Sequence, residues 1–197
     1  MILKQITDRE SIRAFDPRPI PDELLVSLFE AARWAPSSYN EQPWRFLIAK
    51  KENPDRFTAM LSCINDRNRV WAANAAVLII CIARLHATER NIPNRHAYYD
   101  LGLAVGNLSV QATNVNIFMR QMAGFHPEAA ASAYLIPDGF EPVSMIAMGF
   151  RGDTGSLPAS LQEREKFPRV RKPLSELVFD DVFGKASDLI SKNVQEH

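Results

Sequence analysis

From Ala75 to Ala83 the chain reads Ala-Ala-Val-Leu-Ile-Ile-Cys-Ile-Ala without a polar interruption. Its short length and β-branched content predict a strand buried on both faces. From Ala97 to about Val115 the pattern becomes helical, with Leu101, Ala104, Val105, Leu108 and Ala112 on one face. Gly102 and Gly106 lie four apart in that segment, a spacing that permits close approach by another backbone and is compatible with an inter-helix contact or a dimer seam. A second helix follows Asp22 and Glu23, whose charges suit a helix N-terminus, and places Leu24, Leu25, Leu28, Phe29 and Ala32 at helical spacing until Pro36 stops it.

Shorter signals fill the remainder. Thr7-x-x-Glu10 reads as a capping box that opens a helical segment from Asp8 to Phe15. Pro17, Pro19 and Pro21 then enforce an extended connection. Strands are expected at Arg45–Ala49, Ile117–Met122 and Val143–Phe150, an edge strand at Pro173–Phe179, and a helix over residues 54–61. Ala186, Leu189, Ile190 and Val194 recur at helical spacing in a tail with too few anchors to stand alone, so it must dock on its own subunit or on a partner's. Helices and strands interleave without a regular βαβαβ repeat, and no linker, duplication or low-complexity segment divides residues 1–197, which read as a single domain.

Composition narrows the class. The chain is 46% apolar over 197 residues, enough for one substantial core. Its 23 basic and 23 acidic residues cancel, so no global field recruits nucleic acid or an anionic membrane. Ala75–Ala83 is too short to span a bilayer as a helix, and the first residues lack the apolar core of a signal peptide. Cys63 and Cys81 read as small buried hydrophobes rather than a disulfide. A soluble cytoplasmic protein is expected.

Against that neutral background, charge is locally concentrated. Arg9 and Arg13 are four apart, which a helical turn would place on one face, with Ser11 adding a hydroxyl. Arg169 and Arg171 are two apart and share a face if extended. One reading is solubilising surface charge screened by Asp8, Glu10 and Asp16. The other is a phosphate clamp of guanidiniums plus a hydroxyl. Between the pairs lies Pro36-Ser37-Ser38-Tyr39-Asn40-Glu41-Gln42-Pro43-Trp44, either a helix-terminating loop or a ligand wall on a scaffolded loop. Asp100 reads as a cap or a partner for a neighbouring backbone group rather than a catalytic carboxylate. Rossmann, Walker A and nucleophile-elbow sequences are lacking, and His86, His96, His126 and His197 show no metal-ligand spacing, so no metal site is expected.

In combination these stretches resemble the nitroreductase family of FMN-dependent oxidoreductases. The resemblance runs from Arg9 to roughly Gly184. It is carried by Ser11-x-Arg13-x-Phe15, by Ala31-Ala32-x-x-Ala35-Pro36-Ser37-Ser38-x-Asn40-x-Gln42-Pro43-Trp44, and by Arg169-x-Arg171-Lys172-Pro173, in that order and register. It implies an α+β fold with a central, mostly antiparallel sheet flanked by helices, in a homodimer that exchanges C-terminal segments and builds two FMN sites from both subunits. Arg9, Ser11, Arg169 and Arg171 would hold the FMN phosphate. Arg13 would reach the ribityl chain and pyrimidine edge. Pro36, Ser37, Ser38 and Asn40 would wall the flavin, the first three from the other subunit. Asn68 would hydrogen-bond the pyrimidine ring, and Ala123 and Gly124 would bring backbone close to N5 and O4.

The sequence departs from the family pattern at Trp71, where many members carry a lysine, and at Ala123, where several carry a glutamate. Arg13 is then the expected main cation beside the reduced flavin. The implied reaction is ping-pong hydride transfer from NAD(P)H through flavin N5 to a small oxidising substrate such as a nitroaromatic or quinone. The flavin carries the chemistry, so no catalytic side chain is expected. Alternatives within the resemblance are another flavin chemistry (dehalogenation, dehydrogenation or flavin fragmentation) or non-catalytic flavin binding. No obvious basic cluster is left over for a nicotinamide 2′-phosphate.

Overall fold

A computed structural model describes residues 2–89 and 92–193; Val194 and His197, named above, lie outside them. The chain divides into two compact units, Met1–Glu165 and Lys166–His197.

The first unit is built on the apolar run. Strand β3 (Val77–Arg84) is buried at every position up to its final arginine. It pairs antiparallel with β2 (Trp44–Lys50) on one side and with the long β5 (Phe140–Arg151) on the other. β4 (Phe118–Met122) and the two-residue β1 (Phe15–Asp16) also pair antiparallel with β5. The β3–β5 register slips between Cys81 and Ile82, where Pro142 lies opposite Ile82. A proline has no N–H to give a ladder, so a bulge is its natural place in a sheet.

Side-chain alternation along β3 divides the core into two layers. Val77, Ile79, Cys81 and Ala83 face a cluster with α2 (Asp22–Arg33) and α5 (Ala97–Asn114), through Leu25, Leu28, Leu101 and Leu108. Leu78, Ile80 and Ile82 face a second cluster with α3 (Pro54–Ser62) and α4 (Asp66–Ala72), through Phe57, Met60 and Trp71. The result is an α+β fold, a helix-flanked sheet whose pairings among the described residues are all antiparallel. The five helical positions predicted on α5 are all buried. Gly102 and Gly106 fall on its exposed face, where an added Cβ would meet nothing within 4 Å.

Three expectations are corrected. The first helix, α1, is Lys4–Asp8, ahead of the expected Asp8–Phe15. Thr7 lies inside it, with its hydroxyl donating to the Lys4 carbonyl at 2.9 Å, and Glu10 pairs with Arg151 instead of closing a capping box. Ile12 and Ala14 are both buried, while Ser11 is exposed and Arg13 half-buried. That period of two demands extended chain, so Arg9 and Arg13 do not share a helical face. Finally, the expected edge strand at Pro173–Phe179 is a 3-10 turn over Leu174–Glu176 followed by a single bridge between Phe179 and Ala186. Its amides bond locally, Glu176 to the Pro173 carbonyl and Leu177 to that of Leu174, rather than to a neighbouring strand.

Helices α4, α6 (Pro127–Ala133) and α7 (Ala159–Glu165) are additional to the sequence reading. Each has seven residues, too few for a hydrophobic period to declare itself. The second unit ends in α8 (Asp188–Asn193), where the tail was expected to be helical. Cys63 and Cys81 are buried and unbridged, and burial pushes the Cys81 thiol up to about 12. Among the described residues no helix is long and apolar enough to cross a membrane, and no cluster of metal-ligating side chains occurs.

Candidate functional site

The extended segment Arg9–Arg13 has its own anchors, because its buried Ile12 and Ala14 turn the alternate positions outward. Arg9 Nη1 donates to Ser11 Oγ at 2.9 Å, which brings the guanidinium and hydroxyl together. The backbone N–H of Arg13 donates to Glu165 Oε2 at 3.1 Å, and its Nη1 donates to Glu165 Oε1 at 2.7 Å. Both side chains of that pair are largely buried, 14% and 12% exposed. Glu165 is the last residue of α7, so a helix end clamps the segment.

A second arginine approaches from β4. Arg120 Nη1 donates to the Ser11 carbonyl, and its guanidinium lies 5.5 Å from the centre of the Trp71 ring. Trp71 is itself only 1% exposed and packs 6.4 Å from the Phe15 ring. Burial, then the charge of Arg13, lowers the pKa of Arg120 from its ordinary value, with Glu165 acting in the opposite direction and Arg164 adding to the lowering. Arg120 thus meets the charges of two other guanidiniums and of one carboxylate. Such a surplus of cation suits an anionic ligand.

The C-terminal end of β4 leads to Ala123-Gly124. The Gly124 carbonyl accepts from the Asn65 N–H at 3.2 Å and from Asn68 Nδ2 at 3.1 Å. Asn65 is the N-cap of α4, its Oδ1 accepting from the Asn68 N–H at 3.0 Å. A Cβ added at Gly124 would stand 2.5 Å from Nδ2 of both asparagines, so a side chain here would have to displace them. Asn68 and Trp71 are three apart on α4 and project from neighbouring positions of one helix side. Through α4 and β4, the structure therefore brings Arg9, Ser11 and Arg13 into one neighbourhood with Asn68, Ala123 and Gly124.

The serine loop is held elsewhere. Ser38 donates its N–H to Asp100 Oδ2 at 3.1 Å, and Ser37 Oγ accepts from the Gln42 N–H at 3.0 Å. Asp100, 2% exposed on α5, thus satisfies a neighbouring backbone group, as its sequence context indicates. Tyr39, Asn40 and Gln42 have φ of 52°, 56° and 45°, left-handed positions on either side of Glu41 that are costly for the tyrosine and glutamine. Glu41 anchors this turn, accepting from Arg84 Nη2 at 2.6 Å and from the Thr88 hydroxyl and N–H. Pro36 and Asn40 are exposed, while Ser37 and Ser38 are half-buried. The loop belongs to the α2/α5 layer through Ala35 and Trp44, whereas Ile12, Ala14 and Trp71 belong to the opposite layer.

Arg169 and Arg171 belong to the second unit, in exposed chain without regular secondary structure, where Arg171 Nη1 donates to the Val170 carbonyl. Sequence reasoning missed Arg120, Glu165 and Asn65. Only Asn65 had a usable signal, a polar N-cap residue ahead of a short helix.

Comparisons with known proteins agree with this architecture. The nitroreductase family model matches residues 6–150, and the chain belongs to the nitroreductase family. Among solved structures, the crystal structure of an oxidoreductase containing FMN is 34% identical, with a TM-score of 0.89 and 94% of each chain covered. A putative nitroreductase from Desulfovibrio desulfuricans, in complex with FMN, is 25% identical with a TM-score of 0.69, covering 91% of this chain and 96% of that one. A putative NADH dehydrogenase/NAD(P)H nitroreductase from Methanothermobacter thermautotrophicus is 25% identical over 76% of both chains.

Proposed function

We propose that the chain is an FMN-dependent oxidoreductase that takes electrons from NAD(P)H and reduces a small acceptor such as a nitroaromatic or quinone. It would act in the cytoplasm as a homodimer of a single FMN-binding domain over residues 1–197. Support comes from the family match and from similarity to FMN-containing relatives. The observation that carries the reading is the pairing of Arg9 with Ser11 and of Arg120, at the middle of β4, with the Ser11 carbonyl, while Asn68 lies against Gly124 just beyond the end of that strand.

The donor set fits FMN. Guanidiniums and a hydroxyl are the groups that bind a phosphate monoester, and an asparagine amide matches the edge of a pyrimidine ring. In this reading Arg9 and Ser11 bind the phosphate together with Arg169 and Arg171, and Arg13 reaches the ribityl chain and pyrimidine edge. Asn68 orients the ring, and the Ala123-Gly124 backbone lies beside its reactive edge. Bound FMN would supply the redox chemistry, exchanging hydride at N5 first with NAD(P)H and then with the acceptor. The chain's own task is to hold cation near the ring, keep the loops in place and exclude water.

Pro36, Ser37, Ser38 and Asn40 complete the wall in this reading. Their loop belongs to the layer opposite the Arg9–Arg13 segment, which favours a site closed by the same loop of a second copy, with C-terminal segments exchanged between subunits.

An absorbance spectrum of the purified protein, followed by anaerobic titration with NADH and NADPH, tests the proposal. Oxidised-flavin bands that bleach on addition of a nicotinamide are expected. Colourless protein that takes up no FMN on reconstitution overturns it. Replacing Arg9 and Arg171 by alanine should weaken FMN retention, and unchanged affinity would count against the phosphate assignment.

A further inference from the structure

Beside the proposed flavin site, the first unit carries a second concentration of cation, built on Arg67 and on the same Arg164 whose charge reaches Arg120. A cleft of about 360 Å³ is lined by Arg67, Val70, Pro158, Ser160, Leu161 and Arg164. Arg67 comes from α4, immediately before Asn68; Arg164 comes from α7, immediately before Glu165. Each guanidinium therefore lies one residue from a member of the candidate site. Asp66, the carboxylate adjacent to Arg67 in sequence, is engaged by Arg69 at 3.1 Å. Among the described residues neither Arg67 nor Arg164 takes part in an ion pair. The charge of Arg164 instead adds to the lowering of the Arg120 pKa. Two exposed guanidiniums, a serine hydroxyl and an apolar floor form a donor set without an acceptor.

We propose that this cleft binds the 2′-phosphate of NADPH, and so makes the phosphorylated nicotinamide the preferred reductant. The chemistry is that of a phosphate monoester dianion held by two guanidinium forks and a hydroxyl. Val70 and Leu161 offer apolar surface for the adenosine that carries this phosphate. The two arginines are 97 positions apart in sequence and come together only because α4 and α7 meet here, so the basic cluster is invisible along the chain. The inference rests on the proposed use of NAD(P)H, and it adds the choice between the two nicotinamides.

The test uses adenosine 2′,5′-bisphosphate and adenosine 5′-monophosphate as probes, with calorimetric binding to the full chain as isolated. Wild-type protein should bind the bisphosphate about tenfold tighter than the monophosphate, a difference R67A and R164A should each reduce severalfold and the double variant abolish. R67K, which keeps charge without the fork, should restore part of it. NADPH should correspondingly reduce the protein at lower concentration than NADH, and the double variant should equalise the two. Both arginines are exposed, so circular dichroism should show unchanged folding. Equal affinity for the probes, or selectivity that survives in the double variant, overturns the inference even if FMN is bound and reduced. Selectivity for the bisphosphate in protein that takes up no FMN would leave the cleft assignment standing and remove the flavin reading instead.

Discussion

Glu165 holds Arg13 twice, by the backbone N–H and by the guanidinium, across 152 positions of sequence. The pair is mostly buried, so losing the carboxylate leaves a guanidinium and an amide without their acceptor. E165A should lower unfolding free energy by about 2 kcal/mol, whereas E165Q, which keeps an acceptor oxygen, should cost about 1. Urea denaturation followed by fluorescence measures both; equal losses would mean that charge, not hydrogen bonding, governs the pair.

Arg120 supports the same segment from the sheet. R120M keeps bulk beside Trp71 but removes both the donor to the Ser11 carbonyl and the charge. FMN affinity should fall roughly tenfold, read by quenching of flavin fluorescence. R120K should recover part of this, since lysine supplies charge without the planar fork. Affinity unchanged in R120M would remove Arg120 from the site.

At Gly124 stability and binding should separate. The atoms an added Cβ meets are the ends of two asparagine side chains, which can swing aside. G124A should therefore cost only about 1 kcal/mol, comparable to disturbing the Asn65 cap of α4. It should displace Asn68 from the Gly124 carbonyl, and FMN affinity should then fall, as it should in N68A. A variant that binds FMN normally would mean that the Asn68 position is dispensable.

Acid should loosen the serine loop before it unfolds the protein. Hydrogen bonds from the Thr88 hydroxyl and N–H, with the Arg84 charge adding to them, hold the Glu41 carboxyl below its ordinary value of 4.5. A folded pKa below the unfolded one gives a contribution fully present above about 4.5 and lost as pH falls through the lower folded value. Exchange of the Thr88 amide should accelerate in that acidic window in wild-type protein and be rapid throughout in E41A. Exchange indifferent to pH across the window, once intrinsic rates are removed, would show that Glu41 does not hold the turn.

Legibility in the sequence followed burial. β3, α2 and α5 were readable because a buried face imposes a period, and each is long enough to repeat it. The Arg9–Arg13 segment was misread because only Ile12 and Ala14 report its period of two, against a capping-box pattern that Thr7 and Glu10 happen to match. The glycine at position 124 and the asparagine at 68 were identified through resemblance, and the structure supplies the steric reason that ties them together. Glu165 and Arg120 left no local trace. Both act on residues more than 100 positions away, and a charge in a short helix or half-exposed strand looks the same whether it meets solvent or a buried partner. Arg67 and Arg164 were hidden for the same reason: only folding makes them neighbours.

Strand β3 has a consequence for how the molecule can be observed. Flanked by β2 and β5 and covered on both faces, its central amides can meet solvent only when both layers separate together. Their deuterium uptake is therefore a clock for whole-unit opening, one that local fraying of the serine loop should not advance. Any ligand that binds the folded form alone must slow that clock by its binding free energy. The quietest part of the protein, which touches no proposed ligand, is thus where occupancy of every site can be counted at once.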